Sequence, residues 1–297
     1  AMRYKSAEDR AVNIAAIVIV ALVAICCLYP IIYCFSMSLS GDDAIVKHAV
    51  TLLPVGLNLE SYRMVLADPD FVTSFVNSVI YTVVGTAFSL FFNLTLGYVL
   101  SRKNFVFKKQ LMVFVLIPMF FSGGLIPSYM LIKSLGLYNT IWAIVLPGAV
   151  SVWNAILAKT FFASTIPNEV VESAIVDGAN DFQIFVRIVL PLSTTIIAIL
   201  TLYSAVGYWN DYFSALIYLK DEAMQPLQLY LRNVLSAQAT SSSLSGMLDA
   251  TDYISNYVNS ERIKYVLIVV STLPIVVVYP FIQKYFVKGV MLGSVKG

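Results

Sequence analysis

Residues 172–191 read Glu-Ser-Ala-Ile-Val-Asp-Gly-Ala-Asn-Asp-Phe-Gln-Ile-Phe-Val-Arg-Ile-Val-Leu-Pro, a polar stretch rich in helix-cap chemistry within a strongly apolar chain. Just upstream, Pro167 suits a first helical turn, where its missing N–H costs nothing. Ser164 or Thr165 can cap that turn, and Glu169 and Glu172 suit its positive end. Asp177-Gly178 is a turn pair, because glycine enters positive φ without a steric cost. Asn180 or Asp181 can cap a second helix through Phe182, Ile184, Phe185 and Ile188, and Pro191 opens the next apolar run. These residues predict a short helix, a glycine turn, a second helix and a return to apolar sequence. Such an elbow is suited to docking a partner, although an ordinary inter-helix loop satisfies the same residue chemistry.

Working outward, the 297 residues are 59% hydrophobic and 12% charged, with a mean hydropathy of +0.81. A soluble domain carries about 25% charged residues, so this composition describes an all-α integral membrane protein. Six apolar runs stand out, at about Val12–Phe35, Phe71–Leu100, Leu111–Ile132, Tyr138–Phe162, Leu192–Leu219 and Ile263–Phe286. Each is long enough to span, since ~20 residues cross the hydrocarbon. The first is too long for a signal peptide and lacks a small-residue cleavage site. Pro30 is expected to kink its outer end. Pro118, Gly123-Gly124 and Pro127 interrupt the third run, and Pro147-Gly148 breaks the fourth. Irregular backbone at that depth is tolerated only against protein or a water-filled cavity. Residues 220–260 form a Ser/Thr/Asn-rich polar loop.

Six spans put both termini on one side. Arg3, Lys5, Arg10, Arg102, Lys103, Lys108, Lys109, Lys159, Arg187, Lys284, Lys288 and Lys296, 12 of the 19 Lys and Arg, share that side. The other 7 are spread over longer loops with ten carboxylates. The positive-inside rule makes the first side cytoplasmic, and the elbow lies there. The organisation expected is an N-terminal segment over 1–70, a core over 71–286 that contains the loop 164–191, and a cytoplasmic tail over 287–297.

The chain has no GxxxxGK[ST] stretch to cradle ATP phosphates, no HExxH and no nucleophile elbow. No metal-type spacing links Cys26, Cys27 and Cys34, which read as small packing residues. The single histidine, His48, falls in an external loop. No catalytic residue, no metal ligand and no cofactor bound by this chain is expected, and the net charge of +2 points to no nucleic acid. One carboxylate, Asp211, lies deep in the fifth run, and a buried ionisable residue is a functional candidate by default. It supports an alternative, an ion-coupled secondary transporter, against the plainer reading that Asn210 and Asp211 bond to neighbouring helices. Trp142, Trp153, Trp209, Tyr203, Tyr208 and Tyr212 fall on the fourth and fifth runs. Tyr and Trp present an apolar face and a polar tip, which suits a sugar ring but equally suits helix packing.

The spacing Glu172-x-Ala174, Asp177-Gly178-Ala179, Ile188-x-Leu190-Pro191 resembles the EAA loop of importer-type ABC transporter permeases. Ser173 departs from the usual alanine. Asn77-Ser78, Ser101-Arg102, Trp209-Asn210-Asp211-Tyr212 and the ending Gln283–Gly297 resemble carbohydrate-uptake permeases of the maltose-permease group. Gly123-Gly124-Leu125-Ile126-Pro127 is similar to a subgroup that imports oligosaccharides cut from polysaccharides, with alginate, xylan and pectin fragments all open. The resemblance implies the type I ABC importer permease fold with six transmembrane helices in a bacterial cell membrane. It implies a second, homologous permease subunit, two copies of an ATPase subunit that bind ATP-Mg, an extracellular solute-binding protein, and an oligosaccharide substrate. It makes Glu172, Ala174, Asp177, Gly178 and Ala179 the ATPase-coupling residues. Asn154, Tyr208, Trp209, Asn210 and Asp211 are candidates for the substrate pathway.

Overall fold

A computed structural model describes residues 7–244, 261–281 and 283. The tail expected over 287–297 and the part of the polar loop at 245–260 lie outside the described residues. In chain order the elements are α1 (Ala7–Leu39), α2 (Asp42–Val46), α3 (Glu60–Ala67), α4 (Pro69–Ser101), α5 (Lys108–Phe120), α6 (Leu125–Ser134), α7 (Trp142–Ala149) and α8 (Val152–Thr165). α9 (Asn168–Val176) follows, then α10 (Asp181–Ile184), a π-helical turn over Phe185–Val189 and α11 (Leu190–Leu192). α12 (Thr194–Trp209), α13 (Phe213–Tyr218), α14 (Leu227–Leu244) and α15 (Glu261–Phe281) complete it.

Three helices are long and apolar enough to cross a membrane alone: Val12–Leu39, Pro69–Ser101 and Glu261–Phe281. Three further pairs pass together across a bend, of 118° between α5 and α6, 45° between α7 and α8, and 84° between Asp181–Leu192 and α12. Counting each pair as one span gives six. The breaks follow the punctuation in the sequence: Phe121–Gly124 separates α5 from α6, and α7 stops two residues after Pro147. α1 holds Pro30 inside one helix. One expectation is corrected. The polar loop is helical from Leu227, where buried Leu227 and Leu229 anchor the start of α14; the Leu227 N–H donates to Ser78 Oγ at 2.7 Å.

The chain divides into two units, one holding the residues up to Asp68 with Asn233–Thr272, the other Pro69–Arg232 with the residues from Leu273. In the first, every side chain from Val12 to Ile32 is exposed, Cys26 and Cys27 among them. A helix apolar all round needs lipid or a partner about it. Met37, Ala44, Ile45 and Val50 form a small core there, and buried Arg262 pairs with Asp42.

In the second unit α4 is the central post, packed against α7, α8 and α12. Its Asn93, 1% exposed, repairs the break between α7 and α8. A helix end leaves carbonyls and N–H groups without partners. Asn93 Nδ2 donates to the Ala149 carbonyl at 3.0 Å, and its Oδ1 accepts from the Ser151 N–H at 3.0 Å. Ser89 Oγ lies 2.8 Å from Ser204 Oγ and takes a second Asn93 donation. Three spans are thereby joined through buried polar groups, each of which would be costly if left unpaired.

Candidate functional site

The second unit carries two candidate regions, at opposite ends of α12. The first is the elbow. Ile166 is extended (φ −92°, ψ 112°), as a residue before proline tends to be, and Pro167 follows at φ −62°, ψ 137°. Proline therefore occupies the N-cap itself, one residue earlier than expected, and α9 starts at Asn168. Neither Ser164 nor Thr165 caps it; Ser164 Oγ donates back to the Phe161 carbonyl at 3.3 Å.

The other end of α9 follows the sequence closely. Gly178 takes φ +84°. The Ala179 N–H donates to the Ala174 carbonyl at 2.9 Å and the Gly178 N–H to the Ile175 carbonyl at 3.0 Å. This paired closure is the Schellman motif, which needs the left-handed residue that glycine supplies. Asn180 rather than Asp181 caps the next helix. Its side chain accepts from the Gln183 N–H at 2.8 Å while Gln183 Oε1 accepts from the Asn180 N–H at 3.0 Å, a complete capping box.

The two alanines face inward: Ala174 is buried and Ala179 packs against the same cluster. That cluster includes Val171, Ile184 and Val189 from the elbow, Leu94 and Tyr98 from α4, and Phe162 from α8. Glu172, Asp177 and Gly178 are exposed. Exposed beside them are Ile175 at 51%, Val176 at 87% and Phe182 at 73%. Val176 and Phe182 join this outer face without belonging to the Glu172–Ala179 pattern. The signal was available, since buried Val171 and Ala174 mark the inner stripe of α9 and leave Glu172 and Val176 opposite. A hollow of ≈ 220 Å³ beside α9 is lined by Glu172 together with Arg102, Lys103 and Lys108.

The second region opens where α12 ends. The fifth apolar run is not one helix: it stops at Trp209 and resumes at Phe213. Asp211 sits at that break, and its Oδ1 accepts from the Ser214 N–H at 3.0 Å, holding the start of α13. Asn210 Nδ2 donates to the Val206 carbonyl at 2.9 Å. Tyr208 lies in a slot between two glycines. A Cβ on Gly85 would fall 2.6 Å from its ring, and one on Gly148 2.9 Å from its hydroxyl. That hydroxyl donates to the Val145 carbonyl at 2.8 Å.

Beside this break lies a hollow of ≈ 950 Å³. Asn154, Asn210, Asp211 and one edge of Tyr208 line it. Trp209 does not: it is buried, edge-on to Phe75 with centroids 5.8 Å apart. Exposed Trp153 and Tyr203 stand in the wall instead. Asn154 is only 7% exposed. Its backbone N–H donates to Ser151 Oγ at 3.3 Å, but its side-chain amide has no hydrogen bond among the described residues. A wall of aromatic faces, primary amides, hydroxyls and one carboxylate can stack on and hydrogen-bond to a hydroxyl-rich ligand.

Known proteins match this architecture over nearly its whole length. The polygalacturonan/rhamnogalacturonan transport system permease protein YtcP of Bacillus subtilis (strain 168) is 42% identical over 92% of this chain and 94% of its own. Protein LplC of the same organism is 41% identical over 91% of this chain and 90% of its own. The structure of a bacterial ABC transporter involved in the import of the acidic polysaccharide alginate contains a chain 34% identical to this one. It superposes with a TM-score of 0.83 over 96% of this chain and 100% of that one. Residues 93–292 match the family described as binding-protein-dependent transport system inner membrane component. The chain belongs to that family, as a membrane permease subunit of an ABC importer whose ATPase is a separate subunit.

Proposed function

We propose that this permease forms half of the translocation pathway of an ATP-driven oligosaccharide importer, with 71–286 as its core and the elbow as the point where the ATPase pushes. The observation that carries the reading is the packing of the elbow. Val171, Ala174, Ile184 and Val189 share one buried cluster with α4, α8 and α12, and α4 and α12 also hold the wall of the ≈ 950 Å³ hollow. A close-packed interior transmits displacement instead of absorbing it. Force on α9 therefore reaches the hollow through α4 and α12, which turns the hollow from one side of the membrane to the other.

Glu172, Asp177 and the Gly178 turn, with Ile175, Val176 and Phe182 around them, offer the ATPase a mixed charged and apolar face. Ala174 and Ala179 serve the coupling from inside by closing the turn. Asn154, Asn210 and Asp211, with Trp153 and Tyr203, serve as the sugar-facing residues, and Tyr208 holds their backbone. The partners are a second homologous permease, two ATPase copies that hold ATP-Mg, and an extracellular solute-binding protein. Both termini lie in the cytoplasm of a bacterial cell. The relatives named for polygalacturonan, rhamnogalacturonan and alginate support a polysaccharide-derived substrate. The ion-coupled alternative based on Asp211 is not supported, because the family is ATP-driven and Asp211 has a capping task at the start of α13.

The test is uptake of a labelled oligosaccharide by proteoliposomes that hold the complete importer. Uptake is expected only with ATP inside the ATPase compartment and with the binding protein outside. Uptake driven by an ion gradient without ATP would overturn the proposal.

A further inference from the structure

We propose that the hollow takes an uncharged stretch of glycan, and that Asp211 is a specificity residue that turns carboxylate-bearing sugar units away from this half of the pathway. The inference rests on the reading that the hollow carries oligosaccharide. Among the described residues that line it there is no Lys, Arg or His, and Asp211 is the one charged side chain. The cations Arg102, Lys103 and Lys108 instead line the small hollow at the elbow.

A neutral pyranose ring finds what it needs here. Trp153 and Tyr203 present exposed faces for its C–H surface. Asn154 offers a donor pair and an acceptor with no other partner among the described residues, open to the hollow where sugar hydroxyls can take the place of water. Asp211 spends one lone pair of Oδ1 on the Ser214 N–H and keeps Oδ2 for sugar hydroxyls. A hexuronate gains the same stacking but brings a second negative charge. Two like charges ~6 Å apart, at an effective dielectric of ~20, disfavour occupancy by tenfold to a hundredfold. Relatives bear the names of polygalacturonan and of the acidic polysaccharide alginate. Polygalacturonan and alginate bear a carboxylate on every unit; of the polymers in the relatives' names only rhamnogalacturonan offers neutral units to this half of the pathway.

The experiment reconstitutes the complete importer with native, Asp211→Asn or Asn154→Asp permease. It measures uptake of labelled tetragalacturonate and of its carboxyl-reduced, neutral counterpart of the same length and linkage. The binding protein's own preference is common to all three and cancels between them. Asn at 211 keeps Oδ1 for the Ser214 N–H, so the turn survives. The expected result is a rise of about tenfold or more in the acidic-to-neutral uptake ratio for Asp211→Asn, and a fall by a similar factor for Asn154→Asp. Asn154→Asp alone decides the matter if the first variant fails to assemble. A ratio unchanged within twofold, or a selective loss of acidic uptake in Asp211→Asn, overturns the proposal. Trp153→Ala separates this from failure of the underlying reading: it lowers uptake of both sugars if the hollow carries glycan, and leaves both unchanged if it does not.

Discussion

The elbow and the α7/α8 break beside the hollow solve the same problem in opposite ways. Both are helix breaks, and both must satisfy backbone groups that no regular helix can. At the elbow the partners are local: Ala179 closes on Ala174, and Asn180 and Gln183 close on each other three residues apart. At the hollow the break after α12 is also closed locally, by Asp211 on Ser214, but the break between α7 and α8 has distant partners: Asn93 serves Ala149 and Ser151, and Tyr208 reaches Val145. The elbow is therefore a self-contained unit that can be pushed without losing its own bonds. The hollow is an agreement among four helices, and its shape changes whenever those helices shift. A lever and a chamber call for that division.

The strongest way to break the comparison is to damage the packing that joins the elbow to α4. Ile184 is fully buried, at 0% exposure. Ile184→Ala is expected to cost about 2–5 kcal/mol, as large-to-small changes in a core do. Hydrogen exchange should rise over residues 168–192, and ATP use should persist while uptake falls. Trp153→Ala removes a larger side chain from the hollow, but that side chain is exposed and should leave exchange at the elbow unchanged. Equal loosening of the elbow by both changes would show that the two regions are not separable.

The same contrast explains what the sequence disclosed. The Gly178 turn, the Asn180 cap and the breaks near Gly123 and Pro147 were legible because caps and turns are written within a few residues. The Pro167 cap was displaced by one position because the restriction on the residue before proline outweighed the hydroxyls of Ser164 and Thr165. The break at Asn210–Tyr212 was not legible. The polar pair Asn210-Asp211 interrupts the run, but it read equally as a buried pair facing other helices; only the structure shows Asp211 capping α13 through the Ser214 N–H. Nor could the sequence separate Trp209, buried on Phe75, from Trp153, which faces the hollow. Which aromatic faces a chamber is decided by tertiary packing and leaves no period in the chain.

Next in size is the loss of a distant partner. Asn93→Leu keeps the volume but leaves the Ala149 carbonyl and the Ser151 N–H unserved, at about 1–3 kcal/mol for each buried group. The expected sign is a wider bend between α7 and α8, read as increased protease sensitivity near 150 and a changed ratio of neutral to acidic uptake. A native bend with unaltered transport would mean that water replaces Asn93, and that the chamber does not depend on its distant partners. Gly178→Val tests the local counterpart. At φ +84° a branched residue costs about 1–3 kcal/mol, and nothing lies within 4 Å of its Cβ, so the penalty comes from the backbone alone. Loss of coupling with normal insertion is expected, and unchanged uptake would sink the role of the turn.

The smallest effect on the fold, and the sharpest on function, belongs to Glu172. It lies beyond the first turn of α9, where Glu169 already sits. The helix dipole falls off within that turn, so its contribution to Glu172 is below the ~0.3 kcal/mol end of the range for such charges. Glu172 is exposed and has no ion pair among the described residues, unlike Asp42, which pairs with Arg262. Glu172→Gln should therefore leave the thermal stability of the isolated permease unchanged. In the assembled importer the expectation reverses. If the ATPase meets this carboxylate with a cation, truncating a desolvated pair costs about 2–5 kcal/mol, well over tenfold in association. Glu172→Ala and Glu172→Gln should then weaken ATPase binding nearly equally, because charge and not shape is lost. If binding survives both within twofold, the docking energy comes from Ile175, Val176 and Phe182, and Val176→Ser should weaken it where neither Glu172 variant does.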